Sequence, residues 1–196
     1  MKIKVKDICL MATMLAVLIV CSKITIPTGL VPITLQTFAV VIIALILGFT
    51  KSTIVIVTYI VMGLIGIPVF SSGGGFDYIF KPSFGYILGF VFQAMIISLA
   101  CKSEKRWLKY VLSIVGLLVD YAFGTIYFAM IEMYYLNTPK DILFILNVCV
   151  NYFYIFDIIK IVIACVIYSR VKNIIWASDD EYKESLVTNV NQKESI

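Results

Sequence analysis

Long apolar blocks make up most of this sequence, and short segments rich in charge, glycine or proline separate them. Within the blocks, polar side chains recur neither every 3.6 residues, as on a half-buried helix, nor every second residue, as on a half-buried strand. A helix of about 20 such residues spans a bilayer. The pattern therefore predicts an all-α, polytopic membrane protein with six transmembrane helices, at residues 7–22, 33–49, 53–70, 84–101, 108–133 and 156–171.

The composition supports a lipid environment and excludes much enzyme chemistry. Of the 196 residues, 61% are hydrophobic and 14% are charged, whereas about 25% of a soluble domain is charged. The chain has no histidine, which is the commonest general base and metal ligand. The segment LGFTKS at 47–52 lacks the glycine spacing of a phosphate-binding loop. We expect no enzyme, no ATPase, no metal and no cofactor, and the dispersed basic residues do not favour nucleic acid.

Lysines and arginines predict the orientation, because cytoplasmic loops of membrane proteins are enriched in them. With the N-terminal lysines inside, six spans place both termini in the cytoplasm. Ten basic residues then lie inside, namely Lys2, Lys4, Lys6, Lys51, Lys102, Lys105, Arg106, Lys109, Arg170 and Lys172, and three outside, namely Lys23, Lys81 and Lys140. The first block resembles a secretory signal, but Val20 is too large for the cleavage position, so we interpret it as an uncleaved helix.

Two segments fall outside the six spans. Residues 142–154 are apolar but short, which predicts an interfacial or re-entrant stretch, or else an extension of the last helix into one long tilted span. Residues 176–196 carry several acids and are predicted to be a disordered cytoplasmic tail. Residues 1–175 then form one six-helix transmembrane domain.

Asp157 and Lys160 are three residues apart at the outer end of the last predicted helix, so their side chains share one face within reach of a salt bridge. Ionisable groups within a membrane usually face the protein interior and mark a ligand or ion path. An ion pair that only locks helix packing is the alternative. Asp120, near the middle of the fifth span, has no partner that the sequence identifies.

Other candidate residues lie near the same predicted surface. Gln36 and Thr34 open the second span and can hydrogen-bond either a neighbouring helix or a substrate. Gly74 and Gly75 belong to a glycine run that suits a ligand-binding loop or an ordinary turn. The aromatic residues around this loop could line a pocket or form an interfacial belt; they are Phe70, Phe76, Tyr78, Phe80, Phe84 and Tyr86. Ala12 and Ala16 give the first helix a smooth face that allows close helix packing.

Several segments, in this order, resemble the BioY family, the biotin-specific substrate-binding (S) components of energy-coupling factor (ECF) transporters. They are PITLQTF at 32–38, LG at 47–48, GLIGIPVF at 63–70 with Tyr59 before it, PSFGY at 82–86 and DIIK at 157–160. The resemblance runs from about residue 7 to residue 172. It implies a multi-pass protein of the prokaryotic cell membrane that captures biotin at its outer face and works with a transmembrane coupling subunit and two ATPases.

The resemblance also implies roles for individual residues. Residues 1–175 become a substrate-binding domain, with biotin as transported ligand rather than cofactor. Asp157 and Lys160 would bind its ureido or carboxylate groups, with Gln36 and Thr34 adding neutral hydrogen bonds. Four residues, Phe70, Tyr86, Gly74 and Gly75, would complete the site, and Ala12 and Ala16 would contact the coupling subunit.

Two departures from the family pattern stand out. The usual glycine-rich turn is PSFGY here, with a bulky Phe84, and the usual Pro-Phe before the aspartate is YIF at 154–156.

Two other functions remain as alternatives to biotin capture. An S component for another vitamin is one alternative. A self-powered secondary transporter of a small organic anion, with Asp120 or Glu132 in a proton relay, is another.

Overall fold

The computed structural model describes residues 4–27, 31–101, 103, 105–136, 141–151 and 153–172. Most of the described chain is helical, as the sequence predicts, and it also contains two short strands. The predicted acidic tail at 176–196 lies outside the described residues, as do Lys2, Lys102 and Lys140.

The helices follow the apolar blocks of the sequence. Helix α1 is Val5–Lys23, α2 is Gln36–Leu64, α3 is Phe84–Ser98, α4 is Arg106–Met130, α5 is Ile142–Leu146 and α6 covers residues 154–172. Strands β1 (Thr25–Ile26) and β2 (Ile33–Thr34) pair antiparallel between α1 and α2. A 3-10 helix at Phe76–Phe80 precedes α3, and π-helical turns at Ile131–Tyr135 and Asn147–Asn151 follow α4 and α5.

Helix α2 is two arms that fold back on each other at Gly48. This residue has φ of 70° and ψ of −175°, and only glycine adopts that region without strain. Gln36 lies at the start of the first arm, and its side-chain amide donates to the hydroxyl of Tyr59 in the second arm at 2.7 Å. In a straight helix these residues would be about 34 Å apart. The break falls inside the predicted second span (33–49), one residue before its predicted end, and the second arm ends at Leu64 rather than at Phe70, because Gly66 and Pro68 do not continue a helix.

Four described helices are long and apolar enough to cross a membrane: Val5–Lys23, Gln36–Leu64, Arg106–Tyr135 and Leu143–Lys172. Phe84–Ser98 is a shorter apolar helix. Leu143–Lys172 includes the predicted interfacial segment, so the structure favours the alternative in which residues 142–154 extend the last helix. The outward faces of these helices are apolar, as lipid requires; Leu118, Ile126 and Val162, for example, are 60%, 61% and 45% exposed.

Polar contacts give the bundle two distinct ends. At one end, Lys51 of α2 forms a salt bridge with Asp7 of α1 at 2.5 Å. The hydroxyl of Tyr168 of α6 donates to the carbonyl of Cys101 at the same end, and the Cys101 sulfur lies beside Gly48. The opposite end holds the β-hairpin, the loop that follows α2, and the first turns of α6.

Candidate functional site

A cavity opens at the hairpin end of the bundle, between α2, α3, α4 and α6. Its empty space, counted together with the part open to solvent, is about 510 Å³. We call it the ligand cavity. Its lining residues are Val31, Pro32, Thr34, Gln36, Thr37, Ser71, Tyr78, Ser83, Tyr86, Ile87, Phe90, Asp120, Tyr121, Phe153, Asp157 and Lys160.

The salt bridge predicted from the sequence lies in this cavity. Lys160 Nζ is 2.8 Å from Asp157 Oδ1, and the two residues are 8% and 4% exposed. Lys160 also donates to the carbonyl of Thr34 at 2.7 Å, and Tyr121 Oη donates to Asp157 Oδ2 at 2.6 Å. Each charge is therefore paired and hydrogen-bonded, which a buried ion pair requires.

The protein leaves part of this pair available to a ligand. An ammonium has three protons, and Lys160 directs two of them to the Thr34 carbonyl and Asp157. Each Asp157 oxygen accepts one hydrogen bond from the chain and has a second acceptor position. One donor and two acceptor positions can thus meet the polar groups of a bound molecule.

Gln36 and Thr34 form a second polar group beside the pair. The Thr34 hydroxyl donates to Gln36 Oε1 at 2.9 Å, and the Gln36 amide donates to Tyr59 Oη. Tyr59 in turn donates to the carbonyl of Val69 at 3.1 Å. This chain of bonds holds the Gln36 side-chain amide at the cavity wall, so Gln36 hydrogen-bonds the neighbouring helix arm and also lines the cavity.

Tyr86 lines the cavity as its position in PSFGY suggests, and its hydroxyl donates to the Cys149 carbonyl at 2.8 Å. The Phe70 ring lies one layer further back. It is fully buried, and it packs on Tyr59, Tyr78 and Phe84 with ring centroids 5.3, 4.5 and 6.4 Å away. Phe70 therefore supports the tyrosines near the cavity and does not itself line it.

Gly74 and Gly75 also lie outside the cavity lining. The amide of Gly75 donates to the Gly63 carbonyl at 2.7 Å, and a side chain on Gly74 would clash with the Ile67 carbonyl. The glycine loop packs closely on the end of α2, while Ser71 and Ser83, on either side of it, line the cavity. Lys23 Nζ, at the end of α1, donates to the Phe70 carbonyl at 2.6 Å and anchors the loop from the other side.

Ala12 and Ala16 lie on the outside of α1; both are exposed and neither lines the cavity. A shallow apolar groove, lined by Ile8, Met11, Ala12, Leu15, Val55 and Thr58, runs between α1 and the second arm of α2. This face is smooth and open, so another helix could pack against it.

Sequence reasoning missed Tyr121 and gave Tyr59 no role beyond the family pattern. Both tyrosines lie within apolar runs, where no spacing separates a tyrosine that packs from one that hydrogen-bonds a site residue. The sequence singled out Asp120, but the structure is needed to place it at the cavity. Among the described residues no cluster of three or more Cys, Asp or Glu side chains could hold a metal ion.

Comparisons with known proteins match most of the chain. A model of the BioY family matches residues 1–176. The "Biotin transporter BioY" of Thermotoga maritima is 34% identical over 161 residues, 81% of this chain and 91% of that protein. The "Biotin transporter BioY2" of Lactococcus lactis is 35% identical over 127 residues, 63% of this chain and 70% of that protein.

A solved structure has the same fold. It is a crystal structure of the S-component for biotin from an ECF-type ABC transporter, and it superposes with a TM-score of 0.76 at 26% identity, covering 86% of this chain and 92% of that chain. On the family match and on these relatives, the chain belongs to the BioY family.

Proposed function

We propose that this protein captures biotin with high affinity as the S component of an ECF-type ABC transporter, and that import requires its partner subunits. The observation that carries the proposal is the ligand cavity, with the Asp157–Lys160 pair buried in its wall. The biotin-transporter relatives and the similarity to a biotin S-component support it. These relatives are transporters and not enzymes, in keeping with a chain that binds a molecule without changing it.

The chemistry of biotin suits this cavity. Its ureido group has two N–H donors and one carbonyl acceptor, its bicyclic ring is apolar, and its valerate tail is anionic. Asp157 can accept a ureido N–H, while the free proton of Lys160 donates to the adjacent carbonyl. Ile87, Phe90 and Phe153 provide apolar walls for the ring.

The proposal includes six transmembrane helices with both termini in the cytoplasm. The two arms of α2 supply two of the six, and α1, α3, α4 and α6 supply the others. Basic residues support the orientation, because Lys51, Arg106 and Arg170 lie at the end opposite the cavity. The cavity then opens on the outer side of the cell membrane of a prokaryote.

Ala12 and Ala16 are proposed to contact the transmembrane coupling subunit, and two ATPase subunits to supply the energy. The exposure of this face and the apolar groove beside it support the assignment. Most of the outer surface of α1 is also apolar, with Val5 78% and Val20 60% exposed, so a hydrophobic partner helix is accommodated without desolvating charge.

The test of capture is calorimetry on the purified protein in detergent, with biotin as titrant and thiamine and riboflavin as competitors. Asp157→Asn and Lys160→Met should weaken biotin binding by about 2–5 kcal/mol, since each leaves a buried partner unpaired. Asp7→Asn and Lys51→Met are matched controls, because they break an Asp–Lys salt bridge at the other end of the bundle. Unchanged affinity in both site variants would refute the site, and displacement of biotin by another vitamin would refute the specificity.

Transport is tested in vesicles. We expect biotin accumulation only when the coupling subunit and the ATPases are co-reconstituted and ATP is supplied. Accumulation driven by a proton gradient with this chain alone would instead support a self-powered secondary transporter.

A further inference from the structure

Asp120 of α4 is the acidic residue in the ligand cavity that the salt bridge does not use. It is 2% exposed, it lines the cavity, and its Oδ1 atom accepts no hydrogen bond from any residue that the structure describes. A buried carboxylate oxygen without a donor is costly, so such groups almost always have a partner. We propose that Asp120 is a further ligand-binding residue, which accepts a hydrogen bond from an N–H group of the ligand.

The packing of α3 against α4 fixes the position of this carboxyl group. A side chain on Gly89 of α3 would clash with Asp120 Oδ1, so the glycine makes the space that the carboxyl occupies. One turn further along, Gly116 of α4 packs closely on Gln93 of α3 in the same way. Asp120 therefore lies in the tight contact between its own helix, α4, and α3, and its side chain cannot turn towards lipid or solvent to find a partner.

The neighbouring groups also favour a ligand donor. Tyr121, the next residue in α4, directs its hydroxyl to Asp157 and not to Asp120. Lys160 directs its protons to Asp157 and the Thr34 carbonyl. Asp120 and Asp157 line the same cavity, so a ligand in it faces both carboxyl groups.

This inference rests on the proposed function, because biotin has the required donors. Its ureido carbonyl lies between two N–H groups. An adjacent carboxylate and ammonium, such as Asp157 and Lys160, can engage one N–H and the carbonyl, which leaves the second N–H without a partner. Asp120 supplies an acceptor for that second N–H, and in this arrangement the ureido end enters the cavity first and the valerate tail points to its mouth.

The experiment is proton–nitrogen NMR of biotin carrying ¹⁵N at both ureido positions, bound to the purified protein. In the wild type we expect both ureido N–H signals to shift downfield from free biotin, as hydrogen bonds to carboxylates produce. In Asp120→Asn, which keeps the size of the side chain, one signal should return towards its free position while the other stays. Calorimetry should show about a 10- to 100-fold loss of affinity, the usual effect of losing a hydrogen bond to a charged group.

The matched control is Gln93→Leu. Gln93 is fully buried and its amide also lacks a partner among the described residues, but it does not line the cavity. This variant should leave both N–H signals and the affinity unchanged, so a general disturbance of the α3–α4 packing would be recognised.

The outcomes separate the two proposals. If the wild type gives no bound-biotin signal, the proposed function fails. If biotin binds but only one N–H is shifted in the wild type, or if Asp120→Asn alters neither signal, the inference about Asp120 is overturned and the function stands. A wild-type spectrum with a single shifted N–H overturns the inference even if the Asn variant does not fold.

Discussion

The buried pair in the ligand cavity should be necessary for stability as well as for binding. Replacing Lys160 with Met keeps most of the side-chain volume but removes the partner of Asp157 and the donor to the Thr34 carbonyl. At the 2.8 Å separation of this pair, the Coulomb attraction is about 6 kcal/mol at an effective dielectric constant of about 20. Desolvation offsets much of this attraction, and breaking a buried pair by removing one member usually costs about 3–5 kcal/mol.

The measurement is the melting temperature of the ligand-free protein in detergent. For a chain of this size, 1 kcal/mol shifts the melting temperature by about 2–4 °C, so Lys160→Met should melt about 6–20 °C below the wild type. Asp157→Asn should have an effect of similar size, because it leaves the Lys160 ammonium buried with one acceptor. Biotin is left out of this assay, because a bound ligand would add its own stabilisation to the wild type alone.

The double variant distinguishes the interaction between the two charges from the effect of losing each charge alone. Asp157→Asn combined with Lys160→Met leaves no uncompensated charge, so it should melt well above the position expected from adding the two single effects. It should still fail to bind biotin. Additive effects, or a single-variant shift of less than about 2 °C, would refute the conclusion that the two buried charges depend on each other.

Three further predictions concern other parts of the molecule. The Asp7–Lys51 salt bridge is partly exposed, so Lys51→Met should cost less than about 1 kcal/mol and leave biotin affinity unchanged in calorimetry; a large loss would contradict the surface assignment. Gly124→Leu should lower biotin affinity and the melting temperature together, because a side chain there would displace the Tyr86 ring from the cavity wall; retained affinity would show that Tyr86 is dispensable. Ala12→Trp should keep biotin binding but abolish co-purification with the coupling subunit, and intact complex formation would exclude this face.

Hydrophobic patterning was sufficient to predict the helices because a long apolar segment in a bilayer must satisfy its own backbone hydrogen bonds, which a helix does. The pattern predicted a gap at residues 50–52 but not the fold-back of α2 at Gly48, since a single glycine within apolar residues also occurs in continuous helices. The third span was predicted too long for a similar reason. The residues after Leu64 are as apolar as the helix, and only Gly66 and Pro68 indicate that the helix has ended.

The site was predictable only where spacing along one helix determines proximity. The separation of Asp157 and Lys160 by three residues predicts their contact, and the structure has it. The contact of Lys160 with Thr34 and that of Tyr121 with Asp157 join distant segments, and no local pattern encodes them. Phe70 illustrates the opposite error. An aromatic-rich loop indicates that rings cluster, but it does not determine which ring faces the cavity and which lies behind it.

The bond from Lys160 to the Thr34 carbonyl joins residues 126 positions apart, and this separation has a consequence for biosynthesis. The ribosome makes the β-hairpin and α2 early, while α6 is among the last helices to be made. A nascent chain that has inserted α1 to α4 has the hairpin and most of the cavity wall, but not the ammonium group that links the wall to the last helix. Ligand binding should therefore begin only after α6 has been released into the membrane, and biotin present during synthesis should stabilise completed chains without accelerating the insertion of the earlier helices.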